Sequence, residues 1–555
     1  MNARELILKH ALANALKYGK AEKGAVIGKV VAEAPELKKE LRNLMPVFDE
    51  VISYVNSLSK EEGERILREI SPELLERRKE RKEVTGLPPL DAEHPVMRFA
   101  PNPNGPPTLG SARGMVINGE YAKMHDGKLI LRFDDTDPKT KRPIPEAYDW
   151  YVEDFEWLGY KPDVIIAASE RIPIYYEYAE KLIEMGFAYV CECSREEFKK
   201  FKDSSRACPH RDRASEDNLE LWEKMLSGEL SPGEAVLRIK TDMQHPDPAV
   251  RDWVAFRIID VPHPRVGDRF RVWPTLDFES AIEDHLQNVT HIIRGKDLRD
   301  SEARQRYIYS YFNWKYPKTI YWGRLKIHEF GKLSTSMIAK GIQEGIYSGW
   351  DDVRLPTLRA LRRRGITAEA IRRFFISLGV GENDISISME NLYAENRKII
   401  DGIARRYFFV HSPVKMEILE FPGRLVARAP LHPKKNLGFR EIEVGGEVLI
   451  AESDFRELRE GDCIRLKDLC NVEIVSLNPL RARFEGEALK GYRIIHWAPP
   501  DGVKTRVLSP EGTFEGISER GVLGEIGNVV QFERFGFARI EKFENGVLQA
   551  CFSHK

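Results

Sequence analysis

The feature that most constrains the fold is a short apolar strand that ends in acidic residues. Leu129–Phe133 is a buried-strand pattern, and three of the four residues at 134–137 are aspartates. A second strand-like segment, Val96–Phe99, leads through a Pro/Gly-rich turn into a helical pattern over Ala112–Met124. Ligands bind at the carboxyl ends of strands in open α/β sheets. Backbone donors and carboxylates at one edge would suit a nucleotide and a substrate amine.

Apolar runs alternate with helical segments from about residue 93 to 340, which predicts a parallel, doubly wound (Rossmann-like) sheet. Residues 190–272 interrupt this alternation and look like an insertion rich in Cys, Arg, Asp and Pro. The strand-like runs are Val96–Phe99, Leu129–Phe133, Val164–Ile166, Val236–Ile239, Thr290–Ile293 and Thr319–Trp322.

The two ends of the chain differ in their predicted secondary structure. Residues 1–85 are helical by pattern, with a charged helix over 61–83 that is either a solvated cap or a docking surface for a protein partner. After residue 401, short β-runs separated by Gly, Pro and Asn favour antiparallel barrels. These runs include Val414–Leu419, Glu447–Ile450, Tyr492–His496 and Val529–Phe532.

We therefore expect a multidomain chain built around an α/β catalytic domain. The predicted divisions are an N-terminal helical appendage (1–90), the first half of the Rossmann-like domain (91–189), an insertion (190–272), the second half (273–340), a helical connecting domain (341–400) and a two-barrel region (401–555).

Composition excludes some classes of protein. The 555 residues carry a net charge of -1, so a nucleic-acid partner would have to meet local basic patches. No apolar run reaches membrane length and the N-terminus is not a signal-peptide pattern, so we expect cytoplasmic residence and no membrane contact. Six cysteines in so long a chain argue against a disulfide framework.

The turn before the Ala112–Met124 helix could hold a ligand. N–H groups in the first turn of a helix lack intrahelical partners, Gly110 permits close approach, and Thr108 and Ser111 add hydroxyl donors. The alternative is an ordinary strand–helix turn with a capping side chain. The role of Asp134 also has alternatives: it could bind an ammonium group or a magnesium ion, or stabilise a helix N-terminus.

A cluster of soft ligands lies in the insertion. Cys191, Cys193, Cys208 and His210 form a C-x-C…C-x-H pattern that matches a closed tetrahedral zinc site. The alternative is buried free thiols beside a surface loop.

Two basic features are weaker signals. The loop with Lys332, Ser334 and Ser336 precedes a helix and could cover a triphosphate. Arg294 follows a strand and could clasp a carboxylate, or form an ion pair with Asp297 or Asp300.

Together these motifs resemble a class I aminoacyl-tRNA synthetase, most closely the archaeal type of glutamyl-tRNA synthetase. Residues 98–105 are similar to the family's first signature, Arg132–Asp137 to its Arg-Phe-Asp-Asp-Thr run, and 331–336 to its Lys-Met-Ser-Lys-Ser loop. The C-terminal β-region resembles the two-barrel half of the glutaminyl enzymes. Four positions depart from the family pattern: Thr108 and Ser111 replace the signature histidines, Thr335 replaces a loop lysine, and Leu276 replaces an aromatic residue.

The resemblance implies roles for individual residues. Arg98 would hold the substrate amino acid, Asp134 its α-ammonium group, and Arg294 the γ-carboxylate of glutamate. Glutamine would leave the guanidinium of Arg294 unpaired, at a cost on the order of 3–5 kcal/mol. The residues expected at ATP, as catalytic or binding groups, are Thr108, Gly110, Ser111, Lys332, Ser334 and Ser336.

The implied reaction makes glutamyl-adenylate from glutamate and ATP, with Mg²⁺ on the phosphates, and then charges tRNA(Glu). A second acceptor, tRNA(Gln), is charged by some relatives. The insertion, with its zinc, would grip the acceptor end. Asp300 would lie near the acceptor stem, and the tRNA backbone could meet Arg362, Arg363 and Arg364 in the basic run at 359–364. The alternatives are a glutaminyl enzyme, a tRNA-modifying relative and a non-catalytic tRNA-binding protein.

Overall fold

The computed structural model describes residues 3–35, 37, 40–71, 86–330 and 334–555. The chain forms two compact units, Met1–Ala339 with Arg372–Asn391 and Lys340–Ile371 with Leu392–Lys555. The predicted connecting segment at 341–400 is thus shared between the two units. Within the described ranges, no helix has the length and apolar character needed to cross a membrane.

Helices within the described residues are numbered in chain order. They are α1 (Ala3–Tyr18), α2 (Lys23–Glu33), α3 (Leu41–Ser57), α4 (Lys60–Ile70), α5 (Leu109–Met124), α6 (Pro145–Trp157), α7 (Ile172–Glu184), α8 (Arg195–Asp203), α9 (Ser215–Ser227), α10 (Leu276–Leu286), α11 (Arg299–Tyr311), α12 (Thr335–Gln343), α13 (Leu358–Arg363), α14 (Ala368–Leu378), α15 (Met389–Ile400) and α16 (Glu452–Phe455).

The strands of the first unit are β1 (Val96–Phe99), β2 (Lys128–Phe133), β3 (Val164–Ala167), β4 (Ala188–Cys191), β5 (Val236–Ile239), β6 (Val254–Ile258), β7 (Val272–Pro274), β8 (His291–Gly295), β9 (Lys318–Trp322), β10 (Leu325–Ile327) and β11 (Ile385–Ile387).

The first unit is built on a five-stranded sheet in the order β3-β2-β1-β8-β9, with every neighbouring pair parallel. This order reverses direction at β1, which is the arrangement of a doubly wound fold and places a ligand site at the carboxyl ends of β1 and β8. The predicted Rossmann-like sheet is therefore confirmed.

One predicted strand belongs elsewhere. Val236–Ile239 is β5 of a separate antiparallel sheet, ordered β4-β5-β6-β7, and not a strand of the parallel sheet. The apolar pattern of a buried strand is the same in both kinds of sheet, so the sequence does not distinguish them. This second sheet belongs to the segment that we predicted as an insertion.

The N-terminal residues form a helical bundle, α1–α4, around a core of their own that includes Ile7, Leu12, Val26 and Phe48. Ser59 begins α4 with a capping box to Glu62. We predicted a helix over 61–83; its described part is helical to Ile70, and residues 72–85 lie outside the described residues.

The strands of the second unit are β12 (Arg406–Tyr407), β13 (Phe409–His411), β14 (Pro413–Leu419), β15 (Leu425–Pro430), β16 (Phe439–Val444), β17 (Glu447–Ala451), β18 (Cys463–Leu466), β19 (Asn471–Leu477), β20 (Leu480–Phe484), β21 (Arg493–Ile495), β22 (Val503–Ser509), β23 (Gly512–Ser518), β24 (Val529–Phe532), β25 (Gly536–Glu544) and β26 (Val547–His554).

Thirteen of these strands form two large barrel-like sheets, one of six strands and one of seven, and β15 pairs with β16 in a separate two-stranded sheet. β12 and β13 lie at opposite edges of the seven-stranded sheet, yet only Phe408 separates them in the chain. Such a sheet must curl until its edges approach, which makes it a barrel. The predicted barrels are confirmed, although some neighbours, such as β22 and β26, pair in parallel.

Candidate active site

The part of the site predicted to hold the amino acid begins with two arginines on adjacent parallel strands. Arg98 of β1 is in register with Ile130 of β2, and Arg132 lies two residues further along. Side chains two residues apart point to the same face of a sheet, so both guanidinium groups and Asp134 face the same layer. All three side chains are buried, with exposed fractions of 8%, 1% and 8%.

Helix α10 supplies the carboxylate that joins these strands. Its residues 277–284 are all buried, and four of them are acids. Asp284 Oδ1 accepts hydrogen bonds from Arg98 Nε (3.2 Å) and Arg132 Nη1 (2.7 Å). Arg132 also donates to Asp134 Oδ1 (2.6 Å) and to Ser280 Oγ (2.5 Å). Arg132 is therefore the link between Asp134, α10 and β2.

Arg294 completes this cluster from the end of β8. Both of its terminal nitrogens donate to Gln305 Oε1 at 3.2 Å, and Nη2 lies 3.4 Å from the hydroxyl of Tyr316. Its Nε has no hydrogen-bond partner although the side chain is 6% exposed. The predicted alternative of an ion pair with Asp297 or Asp300 is not formed: Asp297 pairs with Arg324, and the neighbour of Asp300 is Asp247.

The charges in this cluster do not balance. Three guanidinium groups, of Arg98, Arg132 and Arg294, face the carboxylates of Asp134 and Asp284, so at least one positive charge is in excess. Burial raises the pKa of Asp134 although Arg132 opposes the shift, and protonation of Asp134 would increase that excess. Burial lowers the pKa of Arg98, and the positive charge of Arg294 lowers it further. The pKa of Asp284 is lowered because Arg98 and Arg132 outweigh its burial, so Asp284 is ionised.

Glu279 does not supply the missing charge. Its side chain is fully buried on α10, and neither carboxylate oxygen has a hydrogen-bond partner. Burial, reinforced by Asp134, raises the pKa of Glu279 well above its usual range. A neutral Glu279 leaves the surplus positive charge on the guanidinium groups, and a negatively charged ligand would neutralise it.

The nucleotide side of the predicted site has a different chemistry. Thr108 is the N-cap of α5 and its Oγ1 accepts from Ser111 N at 3.4 Å, so the capping alternative is realised. Gly110 is exposed, and a Cβ there would meet only Thr108 Oγ1, at an ordinary 3.6 Å. Packing therefore does not require glycine at 110, whereas close approach of a ligand would. The side chains here are neutral hydroxyls.

The loop predicted to cover the triphosphate is described only in part, because Lys332 lies outside the described residues. Ser334 Oγ lies 3.0 Å from Ser336 Oγ and accepts from Met337 N at 3.3 Å, which caps α12.

Arg113 of α5 donates to Gly323 O at 2.9 Å, just before β10. Sequence reasoning missed Arg113, Arg132 and Asp284 because their roles depend on which face of each element is buried.

The four predicted zinc ligands lie together. The ligand atoms of Cys191, Cys193, Cys208 and His210 are all within 4.8 Å of one another. Cys191 Sγ and Cys208 Sγ are 3.9 Å apart, and Cys193 Sγ lies 3.4 Å from His210 Nδ1. A hydrogen bond from Cys191 lowers the pKa of Cys208 to about 5, so one thiolate is already favoured. Three thiols and an imidazole at these separations fit tetrahedral zinc.

A cavity of about 700 Å³ opens beside this cluster, between α8 and the antiparallel sheet. Its lining holds many more cations than acids and includes Cys193. The cationic residues are Arg195, Lys199, Lys202, Arg238, Arg251, Arg257 and Arg304, and the acids are Asp203 and Asp277. Such a lining suits a polyanion. The Arg-rich composition of the insertion is visible in the sequence, but the cavity is not, because its lining residues are spread over more than 100 positions.

The structure places the arginines of the basic run at 359–364, which we predicted to meet the tRNA backbone, in different environments. Arg364 is 2% exposed, and donates to Phe552 O (3.1 Å), Ser553 O (2.6 Å) and Tyr393 OH (2.8 Å). Arg363 forms an ion pair with Glu541 at 2.7 Å. These two side chains hold the second unit together and do not form a free basic surface. Arg362 is exposed, as is Asp300.

The comparisons with known proteins agree with this geometry. Residues 96–402 match the family described as tRNA synthetases class I (E and Q), catalytic domain. Residues 404–484 match the anticodon-binding domain of the same class. The chain belongs to this family of class I aminoacyl-tRNA synthetases, which confirms the resemblance inferred from the motifs.

Full-length relatives narrow the comparison. The chain is 56% identical to a glutamate–tRNA ligase of Methanosarcina mazei, covering 99% of each chain, and 56% identical to one of Archaeoglobus fulgidus, covering 99% of this chain and 100% of that protein. It is 49% identical to the glutamate–tRNA ligase of Pyrococcus furiosus over the whole of both chains.

Proposed function

We propose that this chain is a glutamate–tRNA ligase, which activates glutamate with ATP and transfers it to the 3′ end of tRNA(Glu). The observation that carries the substrate assignment is the surplus positive charge at Arg294. A glutamate γ-carboxylate would pair with that guanidinium, whereas the neutral amide of glutamine would leave it buried and unpaired. The relatives that match this chain over its full length carry the same activity in their names.

The first step would be an in-line displacement at ATP. An oxygen of the glutamate α-carboxylate attacks the α-phosphorus, and the bond to pyrophosphate breaks. Arg98 would hold the amino acid and Asp134 its α-ammonium group, with both held in place by Arg132 and Asp284. This would be catalysis by positioning, without a covalent enzyme intermediate.

ATP would lie at the start of α5. The groups there are the N–H groups of the first turn, Thr108, Gly110 and Ser111, with Lys332, Ser334 and Ser336 contributed by the second loop. Mg²⁺ bound with ATP would neutralise part of the phosphate charge. In this chain, neutral hydroxyls would replace the imidazole groups of the family signature.

The second step would use the tRNA. The terminal ribose hydroxyl attacks the carbonyl carbon of the adenylate, and AMP leaves. The cation-lined cavity beside the Cys/His cluster supports binding of the acceptor end by the 190–272 segment, with Asp300 nearby. The barrels would read anticodon bases, in line with their family match. We assign tRNA(Glu) as the acceptor and keep tRNA(Gln) as a second candidate.

The test is aminoacylation by the purified chain with ATP, tRNA and either glutamate or glutamine. We expect charging of tRNA(Glu) with glutamate only. Charging with glutamine instead would overturn the substrate assignment. Absence of charging with both amino acids would favour a non-catalytic tRNA-binding protein. Parallel reactions with tRNA(Gln) would show whether it is a second acceptor of glutamate.

We further propose structural zinc at Cys191, Cys193, Cys208 and His210. Elemental analysis should find about one zinc per chain, as a single tetrahedral site requires. Cys193→Ser should lose the metal and raise the KM for tRNA, with the KM for glutamate unchanged. Cys463→Ser is the matched control, because Cys463 lies outside the cluster. Equal zinc in both variants would contradict the site.

A further inference from the structure

The N-terminal bundle has no role in the family description, whose catalytic match begins at residue 96. The bundle has its own core, so its surface side chains are available for contacts with other parts of the chain. One of them, Glu22 at the start of α2, contacts a distant segment of the first unit. That segment lies just before the 331–336 loop in the sequence.

Glu22 pairs with two side chains of the segment Leu325–Phe330. Its Oε1 lies 2.9 Å from His328 Nδ1 and 3.5 Å from Lys326 Nζ. The side chains of Glu22 and His328 are 32% and 19% exposed, so solvent screens this contact less than it screens an ion pair at the open surface.

The bundle holds Glu22 rigidly. The N–H of Glu22 donates to Asn14 Oδ1 at 2.9 Å, and the N–H of Ala21 donates to Asn56 Oδ1 at 2.7 Å. Gly19, with a φ of 86°, makes the turn that brings this corner out of α1. The backbone that carries this carboxylate is thus held by α1 and α3.

The same segment is held on its other side by residues 385–389. β10 pairs in parallel with β11, with Lys326 opposite Ser386. His328 Nε2 lies 3.4 Å from Ser386 Oγ, and Glu329 Oε1 accepts from Ser388 Oγ (2.5 Å) and Met389 N (3.0 Å). Both ring nitrogens of His328 therefore have partners, one from the bundle and one from β11.

We infer that the N-terminal bundle is a positioning element for the segment Leu325–Phe330, with Glu22 as its contact residue. This inference rests on the proposed function, in which Ser334 and Ser336, a few residues further along, face ATP. Loss of the Glu22 contact frees the segment and weakens ATP binding without changing the glutamate pocket, whose residues lie on β1, β2, β8 and α10.

The experiment uses the full chain with Glu22→Gln, which keeps the size of the side chain and removes its charge. Amide hydrogen exchange is followed over residues 325–330, and ATP and glutamate KM values are measured by pyrophosphate exchange. We expect exchange to quicken and the ATP KM to rise, each by about threefold to tenfold, as loss of a partly shielded ion pair gives. The glutamate KM stays unchanged.

The matched control is Glu50→Gln, which removes an exposed ion pair with Arg4 inside the same bundle. It should leave both readings at the wild-type level. A second variant, Glu329→Gln, loosens the segment from the β11 side and should quicken exchange in the same way.

The outcomes separate the inference from the proposed function. Exchange over 325–330 that is equal in Glu22→Gln, Glu50→Gln and wild type overturns the inference. Faster exchange with an unchanged ATP KM supports the positioning role and overturns the assignment of Ser334 and Ser336 to ATP. Failure of the wild-type chain to activate glutamate overturns the proposed function, and the exchange result still decides whether the bundle positions the segment.

Discussion

The proposed glutamate pocket and the Arg440 cluster of the barrel unit both bury arginines beside carboxylates, but only in the Arg440 cluster does each cation have an ion-pair partner. In the pocket, Asp134 and Asp284 pair with Arg98 and Arg132, while Arg294 has only neutral acceptors among the described residues. Its guanidinium forms no ion pair with the described residues, although it is only 6% exposed and its charge helps to lower the pKa of Asp284.

In the barrel unit, by contrast, Arg440 is paired with two carboxylates. Arg440 Nε lies 2.9 Å from Glu519, and its Nη2 lies 3.0 Å from Glu533. Lys467 pairs with Glu533 from the other side. Arg440 also donates to Pro430 O at 2.6 Å. Both cations of this cluster therefore have a carboxylate partner.

The contrast shows that burial of charge alone does not identify a site. A cluster whose charges are paired belongs to the fold, and removing one member leaves another charge buried without its partner. A cluster with a surplus charge has a place for a ligand of opposite charge. The comparison can be tested because it predicts opposite effects of removing an arginine from each cluster.

The largest effect is expected from Arg294→Ala. It should lower kcat/KM for glutamate by about 100-fold to several-thousand-fold, the equivalent of roughly 3–5 kcal/mol, because the γ-carboxylate loses its only charged partner. Stability should not fall, since an unpaired buried charge is removed. The measurements are glutamate-dependent pyrophosphate exchange and thermal unfolding.

The control for this prediction is Arg294→Lys, which keeps the charge but loses the two-pronged geometry and should have an intermediate effect. Near-normal glutamate activity in Arg294→Ala would remove Arg294 from the pocket. A large loss of stability would place Arg294 with the structural clusters, and the comparison would fail.

Much of the fold could be predicted because it depends on periodicity. The strands at 96–99, 129–133 and 529–532 follow from local apolar patterns, and the capped helix at 109 follows from its turn. The placement of Val236–Ile239 in an antiparallel sheet does not follow, because strand pairing is decided by distant residues.

The candidate site was predictable where a motif carries its chemistry. Arg98, Asp134, Arg294 and the Cys/His set were singled out from spacing and resemblance, and the structure brings them into clusters. The link through Asp284 could not be predicted, because it depends on which face of α10 is buried. The burial of Arg364 could not be predicted for the same reason: its basic neighbours suggest an exposed position, but its side chain is enclosed.

A smaller effect is expected from Arg440→Met in the complete cluster. It should destabilise the barrel unit by on the order of 3 kcal/mol, because Glu519 is left buried without its partner. Glutamate KM should not change. The measurement is hydrogen exchange over residues 406–411, since the N–H of Phe408 donates to Glu519. Arg506→Met, which removes an exposed pair with Glu515, is the control and should leave exchange unchanged.

The smallest effect concerns pH. Burial raises the pKa of Glu519 from 4.5 to about 7, although Arg440 opposes the shift. The folded-state pKa is above the unfolded one, so the stabilisation from protonated Glu519 is complete below pH 4.5 and is lost as the pH rises to about 7.

Unfolding free energy of the barrel unit should therefore fall by roughly 1–3 kcal/mol over that interval, at about 1.4 kcal/mol per pKa unit. Glu519→Gln should remove this slope, since a neutral amide does not titrate. The measurement is exchange of the 406–411 amides between pH 4.5 and 8, corrected for intrinsic rates. A slope that persists in Glu519→Gln would assign the titration to another group. A slope of opposite sign would mean that Arg440 holds Glu519 ionised at low pH, and that the barrel cluster is more tightly paired than its burial implies.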